Sequence, residues 1–241
     1  MKPNENTEQK QSTVKKPSKK HQPKGLNILF EDQDIIVVDK INGLLTISTD
    51  SEKEKTAHYY LNDYVRKGNS KSRNRVFIVH RLDRETSGIL VFAKNEQSKT
   101  FLQKEWQSFS KSYYAIINGK LPEKEGEITS YLIENAAHRV YSSKDTIKGK
   151  LAITGYKVIH ECGDYSLLNI KLLTGRKHQI RVHFSENGFP ISGDKMYGRA
   201  EKGIKRLALH AASLTIQHPY SKKEMNFNTE LPLYFKSMMR L

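Results

Sequence analysis

Cysteine is almost absent: Cys162 stands alone in 241 residues. No disulfide framework can form within such a chain, and a reducing, cytoplasmic setting fits the count. No apolar run approaches the ~20 residues that span a bilayer, and the Lys-rich N-terminus has no apolar segment of the secretory kind. A soluble, unexported protein is therefore expected, with no membrane partner. Acidic residues are scarce beside basic ones. The 41 Lys plus Arg against 26 Asp plus Glu give a formal charge of +15 and a pI near 9.7, an excess that points to an anionic polymer as partner.

Several chemistries lack their residues. There is no P-loop and no G-x-G-x-x-G, which argues against nucleotide-driven and dinucleotide chemistry. Nine histidines are present, with His80, His178, His183 and His210 inside or beside motifs. Yet H-E-x-x-H, a cysteine pair and a carboxylate cluster at ligand spacing are all missing, so neither a metal nor any other cofactor is expected. A Ser-His-Asp hydrolase can be assembled on paper, but Ser87 lacks the G-x-S-x-G elbow. Internal repeats are absent too.

What is present divides into an arm and a folded remainder. Residues 1–25 hold seven Lys against Glu5 and Glu8, so they carry +5 of the +15 with almost nothing apolar. Such a segment cannot bury enough surface to fold and reads as a disordered basic arm, either a sequence-blind phosphate contact or a plain solvated tail. Residues 26–241 read as one domain, ample in size for its own core.

Apolar runs around the Asp32-Gln33-Asp34 turn predict a β-hairpin or meander, and Thr56 to Arg66 has helical spacing. The link 67–75, KGNSKSRNR, is a strongly basic loop suited to phosphate. Asn95 to Phe109 reads as an amphipathic helix whose aromatics belong to the core. Lys111 to Ile117 reads as a strand on which the adjacent Tyr113 and Tyr114 must face opposite sides. A peripheral insertion with short strands is expected over 122–150. Strands follow at Leu151 to His160 and Tyr165 to Leu173, then a helix opening in the stretch Thr174 to Phe184 and ending at Asn187-Gly188. Arg176, Lys177 and His178 near that helix start suit phosphate contact. Leu207 to Ile216 reads as a strand and Leu231 to Met239 as a closing helix.

The organising stretch is residues 80–94, HRLDRETSGILVFAK, a loop leading into a buried strand. It sets Asp83 between Arg81 and Arg84. One reading is structural, a turn cap or a local ion pair. The other is that flanking positive charge keeps Asp83 ionised where substrate excludes water, ready to act as nucleophile or base.

HRLDRETSG resembles the active-site signature of the RluA-type pseudouridine synthases, H-R-L-D-x-x-T-S-G. Four further stretches resemble that family in the same order: 28–48, KSYYAIINGK at 111–120, TGRKHQIRVHF at 174–184, and FPISGDKMYG at 189–198 followed by RLALHA at 206–211. The resemblance implies an α+β fold, a mixed, largely antiparallel sheet flanked by helices with a central basic cleft. It implies an isomerase that turns uridine of ribosomal or transfer RNA into pseudouridine without a cofactor. By match of position, Asp83 would be the catalytic acid, Arg181 its partner and Tyr113 the active-site tyrosine. Arg81 would enter the gap left by the flipped base, and Leu209 would pack under it. Arg84, Arg176, Lys177 and His178 complete the expected RNA contacts. Some relatives carry a small S4-type domain ahead of the catalytic one, for which a 25-residue arm is too short. A monomer is the default. The competing readings are a non-catalytic RNA-binding or RNA-folding protein on the same scaffold, and a metal-dependent nuclease that chelators would inhibit.

Overall fold

The chain alternates short apolar strands with amphipathic helices, and their burial patterns dictate a sheet covered on both faces. The computed structural model describes residues 22–199, 203–204 and 206–241. Most of the expected arm, residues 1–21, lies outside the described residues. In order the elements are β1 (Leu26–Glu31), β2 (Ile35–Lys40), α1 (Ala57–Arg66), β3 (Phe77–Ile78), β4 (Ser87–Ala93), α2 (Glu96–Glu105), β5 (Ser110–Asn118) and β6 (Glu125–Glu134). There follow β7 (Val140–Ser143), β8 (Lys150–Cys162), β9 (Tyr165–Leu172), α3 (Gln179–Glu186), β10 (Leu209–Gln217), β11 (Glu224–Asn228) and α4 (Leu233–Met239).

The eleven strands among the described residues belong to one sheet, ordered β1-β2-β4-β10-β5-β9-β8-β6-β7, with β11 on β10 and β3 on β4. The junction of β4 with β10 is parallel and the other pairings are antiparallel. This is the expected mixed, largely antiparallel α+β sheet flanked by helices.

Every residue of β4 is buried because its two faces serve two cores. Leu90 and Phe92 join Ile36 and Val38 under Ala57, Leu61 and Val65 of α1. Ile89, Val91 and Ala93 join Ile35 and Val37 against Leu102 of α2. The strand period of two thus sorts consecutive side chains to opposite faces. Each fully buried Leu or Phe contributes roughly 1.5–3 kcal/mol. A third core lies under the other half of the sheet, where Ile180 and Phe184 of α3 and Phe235 and Met239 of α4 meet Ala115, Leu168 and Leu209.

Local signals in the sequence set the helix ends. Thr56 caps α1 by accepting from Tyr59 N at 3.1 Å, and Asn95 caps α2 by accepting from Ser98 N at 2.8 Å. One expectation is refined and one needs correction. The helix expected to open within 174–184 begins at Gln179. His178 holds a left-handed φ of 54° and the Gln179 side chain ties the preceding turn, accepting from Thr174 Oγ1 at 2.8 Å and Arg176 N at 2.9 Å. The insertion at 122–150 is not built of short strands throughout. β6 runs ten residues because it pairs along β8 from Glu125 to Leu132.

The parallel junction pairs His210 with Ser87 and Ala211 with Gly88. Gly88 sits at φ +112°, and a Cβ there would lie 2.2 Å from Ala211 O. Only glycine lets the two strands meet, and their meeting places the loop before β4 over the middle of the sheet. Gly88→Ala is expected to cost roughly 3 kcal/mol or more, seen as a lower denaturant midpoint at constant slope. An unchanged midpoint would show that the junction yields freely.

Candidate active site

The loop from His80 to Thr86 is held from below before it presents any side chain. Leu82 is buried, and Thr46 clamps it twice: Thr46 Oγ1 donates to Leu82 O at 2.7 Å and accepts from Leu82 N at 3.1 Å. His80 Nε2 accepts from Val91 N at 3.1 Å and its ring stacks on Trp106 at 4.0 Å. Burial pushes His80 down to about 3, so it is a neutral acceptor. Beneath the loop lies Lys40, fully buried. Its ammonium nitrogen donates to Leu44 O at 2.7 Å, Ile41 O at 3.1 Å and Arg84 O at 3.3 Å, and burial lowers it to about 7 against the pull of Asp83, Glu85 and Asp39.

On this platform Asp83 borders a cavity of about 370 Å³. Its lining comes from both halves of the sheet: Arg81 and Asp83 from the loop, Lys111 and Tyr113 from β5, Arg176, Lys177, His178 and Arg181 from the turn and α3, and Leu209 from β10. Asp83 is the sole carboxylate in that lining. Eight of the nine residues singled out in the sequence thus converge. Arg84 does not line the cavity. It is exposed and contributes through its backbone, accepting from Gly43 N at 2.9 Å as well as from Lys40.

The partners of Asp83 are not its sequence neighbours. Arg81 and Arg84 make no ion pair with it among the described residues. Arg181 Nη1 reaches Asp83 Oδ2 at 3.3 Å, and His178 Nε2 lies 3.7 Å from the same oxygen. A residue 98 positions away supplies the charge expected from the flanking arginines. Asp83 Oδ1 has no partner among the described residues.

Arg181 is itself anchored from behind. Its Nε and Nη2 donate to the two oxygens of Asp194 at 2.7 and 2.8 Å, a bidentate fork. Burial works against the guanidinium charge, but the bonds and charge of Asp194, then Asp83, outweigh it and raise its pKa. For Asp194 burial is likewise overcome, chiefly by the Arg181 bond, and its carboxyl falls below its ordinary value. Met196 N and Tyr197 N also donate to Asp194 Oδ1, at 2.9 and 3.0 Å. The Tyr197 hydroxyl then meets His178 Nδ1 at 2.8 Å, and Arg181 sits 5.1 Å over the Tyr197 ring. Burial lowers His178, against the attraction of Asp83, so the imidazole is neutral near pH 7.

Asp194 and Tyr197 belong to the stretch 189–198, which the sequence marks only by its family resemblance and from which no site residue was singled out. Gln179 went unremarked as well. Its amide donates to Ile153 O and Thr154 Oγ1 at 3.0 and 2.9 Å, fixing the turn that carries Arg176 and His178. Lys177 is already engaged by Glu134 at 2.5 Å, and Arg176 Nε donates to Leu151 O at 2.9 Å. As the alternation on β5 requires, Tyr113 lines the cavity and Tyr114 does not. Burial, then Asp83, raises Tyr113 well above an ordinary phenol.

The sequence pattern described as RNA pseudouridylate synthase matches residues 34–186, a span that holds Asp83, Tyr113 and Arg181. The chain belongs to the RNA pseudouridylate synthase family. Its curated relatives include the ribosomal large subunit pseudouridine synthase D of Borreliella burgdorferi, 34% identical over 86% of this chain and 66% of that protein. The protein of the same name from Zymomonas mobilis is 34% identical over 89% of this chain and 73% of that one. The present chain therefore spans about two thirds to three quarters of the length of these two family members. Among solved structures, human RNA pseudouridylate synthase domain containing 4 has a TM-score of 0.74 at 22% identity, covering 88% of this chain and 92% of that one. It shares the fold. Within this RNA pseudouridylate synthase the matched pattern stops before Asp194, so the anchor of Arg181 lies outside it.

Two outcomes follow from the buried charges. Asp194→Asn strips a buried guanidinium of its counter-charge and is expected to cost ~3 kcal/mol. Because the folded carboxyl is depressed, its contribution is present above the unfolded value near ~3.9 and fades as pH falls below it. Unfolding measured across acid pH in both proteins checks this, and equal stability would show the fork to be dispensable. Lys40 has the opposite form. Its folded value of about 7 lies below the unfolded ~10.4, so the unfolded chain binds more protons between them and stability rises with pH over that window. Lys40→Met should remove that rise of several kcal/mol. A parallel pH profile in the variant would show Lys40 to be charged in the fold.

Proposed function

We propose that this RNA pseudouridylate synthase isomerises uridines of structured RNA with Asp83 as the acting group, large-subunit ribosomal RNA being the first candidate and transfer RNA the second. The observation that carries the assignment of Asp83 is the asymmetry of its carboxylate. One oxygen is held by Arg181 while the other has no protein partner among the described residues, and Asp83 lines a cavity rich in cations.

The reaction breaks the N1–C1′ bond of uridine, turns the uracil and joins C5 to C1′; C5 loses a proton and N1 ends with one. Atoms balance without electrons or phosphate energy, so no cofactor is required. An ionised carboxylate serves either route at the ribose, attack on C1′ or removal of the C2′ proton. Arg181 pairs with it and aims it. Tyr113 stays a neutral phenol, so its part is to stack on the ring and offer its hydroxyl near C5 rather than to act as a ready phenolate.

A paired uridine must leave its stack, at a cost of a few kcal/mol that is smallest in loops. Exposed Arg81 at the cavity is suited to the gap it leaves, and Leu209 to the floor beneath the base. Arg176, Lys177 and His178 are proposed to line the path of the flanking phosphates, with Arg84 meeting backbone outside the cavity. Together they would form the basic cleft. Residues 26–241 would act as one catalytic domain, monomeric and cytoplasmic, with the arm adding salt-sensitive affinity. That the Borreliella and Zymomonas relatives are ribosomal large subunit pseudouridine synthases supports the ribosomal choice. A non-catalytic RNA-binding role is disfavoured because it leaves the Asp83, Arg181 and Asp194 relay without a purpose.

Asp83→Asn keeps the shape and removes the charge. Pseudouridine formed in an unmodified large-subunit ribosomal RNA transcript should fall ~10⁴-fold or more, while binding of the same transcript persists. Wild-type turnover by a clean preparation of the variant would overturn the assignment.

A further inference from the structure

A second concavity, of about 710 Å³, adjoins the catalytic one and has no part in the chemistry above. It lies between α1, β3 and α2. Lys53, Arg66, Arg75 and Lys99 line it, and the one carboxylate in its lining, Glu96, is paired with Lys99 at 3.2 Å. Lys53, Arg66 and Arg75 are exposed and make no ion pair among the described residues. Aromatic surface is interleaved. Arg75 rests over the Phe77 ring at 4.8 Å and Lys99 at 5.9 Å, while Tyr59 is 44% exposed at the edge. Residues 53–75 hold seven Lys or Arg against Glu54 and Asp63, and the loop that reads as basic in the sequence contributes Arg75 to the groove.

The groove neighbours the catalytic cavity across a narrow ridge. Ile78 lines the groove and Val79, the next residue, lines the cavity. Gln103 and Trp106, three apart and so on one side of α2, divide in the same way. Gln103 Nε2 donates to Ile78 O at 3.0 Å and fixes the ridge between the two. A polyanion leaving the cavity over this ridge meets the Arg75 guanidinium and Lys99 ammonium over the Phe77 ring, the unpaired Arg66 and an exposed tyrosine. That combination fits a sugar-phosphate backbone with unpaired bases better than an acidic protein segment, which has no use for the stacking faces.

We infer that the groove between α1, β3 and α2 is a track for the RNA strand flanking the target uridine, with Arg66 and Arg75 on its phosphates. This deepens the proposed function and rests on RNA being the substrate. It also gives the chain a means to prefer extended substrates over short ones, since a minimal oligonucleotide fills the cavity without reaching the groove.

The test is filter binding across a potassium chloride series, with the full chain, its Arg66→Gln/Arg75→Gln variant and the milder Arg75→Lys. The probes are an unmodified large-subunit ribosomal RNA transcript and an oligouridine long enough only for the cavity. The double variant should lose affinity for the transcript, and its slope of log affinity on log salt should flatten by about 1.5, the value for two phosphate contacts. Oligouridine binding should not move, and Arg75→Lys should retain most of the transcript slope. An unchanged transcript slope in the double variant overturns the groove while leaving the function intact. Equal losses with both probes overturn it too, by showing a general charge effect. Failure of the wild type to bind the transcript at all would overturn the functional reading itself.

Discussion

One guanidinium between two carboxylates is the constraint on which the site depends. Arg181 is buried, and a buried cation is tolerable only when its donors are used and its charge is met. Asp194 meets it from behind with both oxygens, and Asp83 meets it from the front with one. The two acids are therefore unlike in what they have left. Asp194 accepts four hydrogen bonds, two from Arg181 and two from backbone, and is closed to solvent and substrate. Asp83 is a quarter exposed and keeps a free oxygen. The same cation makes one carboxylate a strut and leaves the other able to react.

That geometry requires the two halves of the sheet to meet correctly, since Asp83 precedes β4 and Arg181 and Asp194 follow β9. The meeting is the short parallel contact of β4 with β10, secured by Gly88 against Ala211 and by Ser87 Oγ with His210 Nδ1 at 2.9 Å. His210 Nε2 passes the bond on to Thr229 Oγ1 at 2.8 Å. Burial holds His210 down at about 4, so this is a neutral chain of hydrogen bonds that withstands mild acid. The loop is fixed at both edges of the seam, by Thr46 and Lys40 on one side and His80 on the other.

How much of this was legible in the sequence follows from the range of the interactions. The helices expected over 56–66 and 95–109 declared themselves because apolar spacing is local, though the second ends at Glu105, as did the opposed facing of Tyr113 and Tyr114. The start of α3 did not, because it depends on Gln179 reaching β8, more than twenty residues earlier in the chain. Adjacency in sequence suggested Arg81 and Arg84 as the charge beside Asp83 for the same reason, whereas neither pairs with it among the described residues and Arg181 does. Arg181 was placed by resemblance to a family rather than by any pattern in its own segment. Asp194 is a turn residue in sequence and an anchor only in three dimensions.

The positive charge of the chain is unevenly available, which decides what each cation can do. Lys177 is held by Glu134, Arg176 by a backbone carbonyl, and Arg181 by two acids, so their nitrogens are already placed and serve geometry more than affinity. Arg81, Arg66, Arg75 and Lys53 have no such commitments among the described residues. Exposed cations released from counter-charge are the ones whose pairing with phosphate frees ions and gives salt-dependent binding. Affinity for RNA and the chemistry at uridine then draw on separate sets of basic residues. The first lies on the surface, where exchange costs little; the second is fixed by partners, with Arg181 the buried member whose substitution would leave a partner unsatisfied.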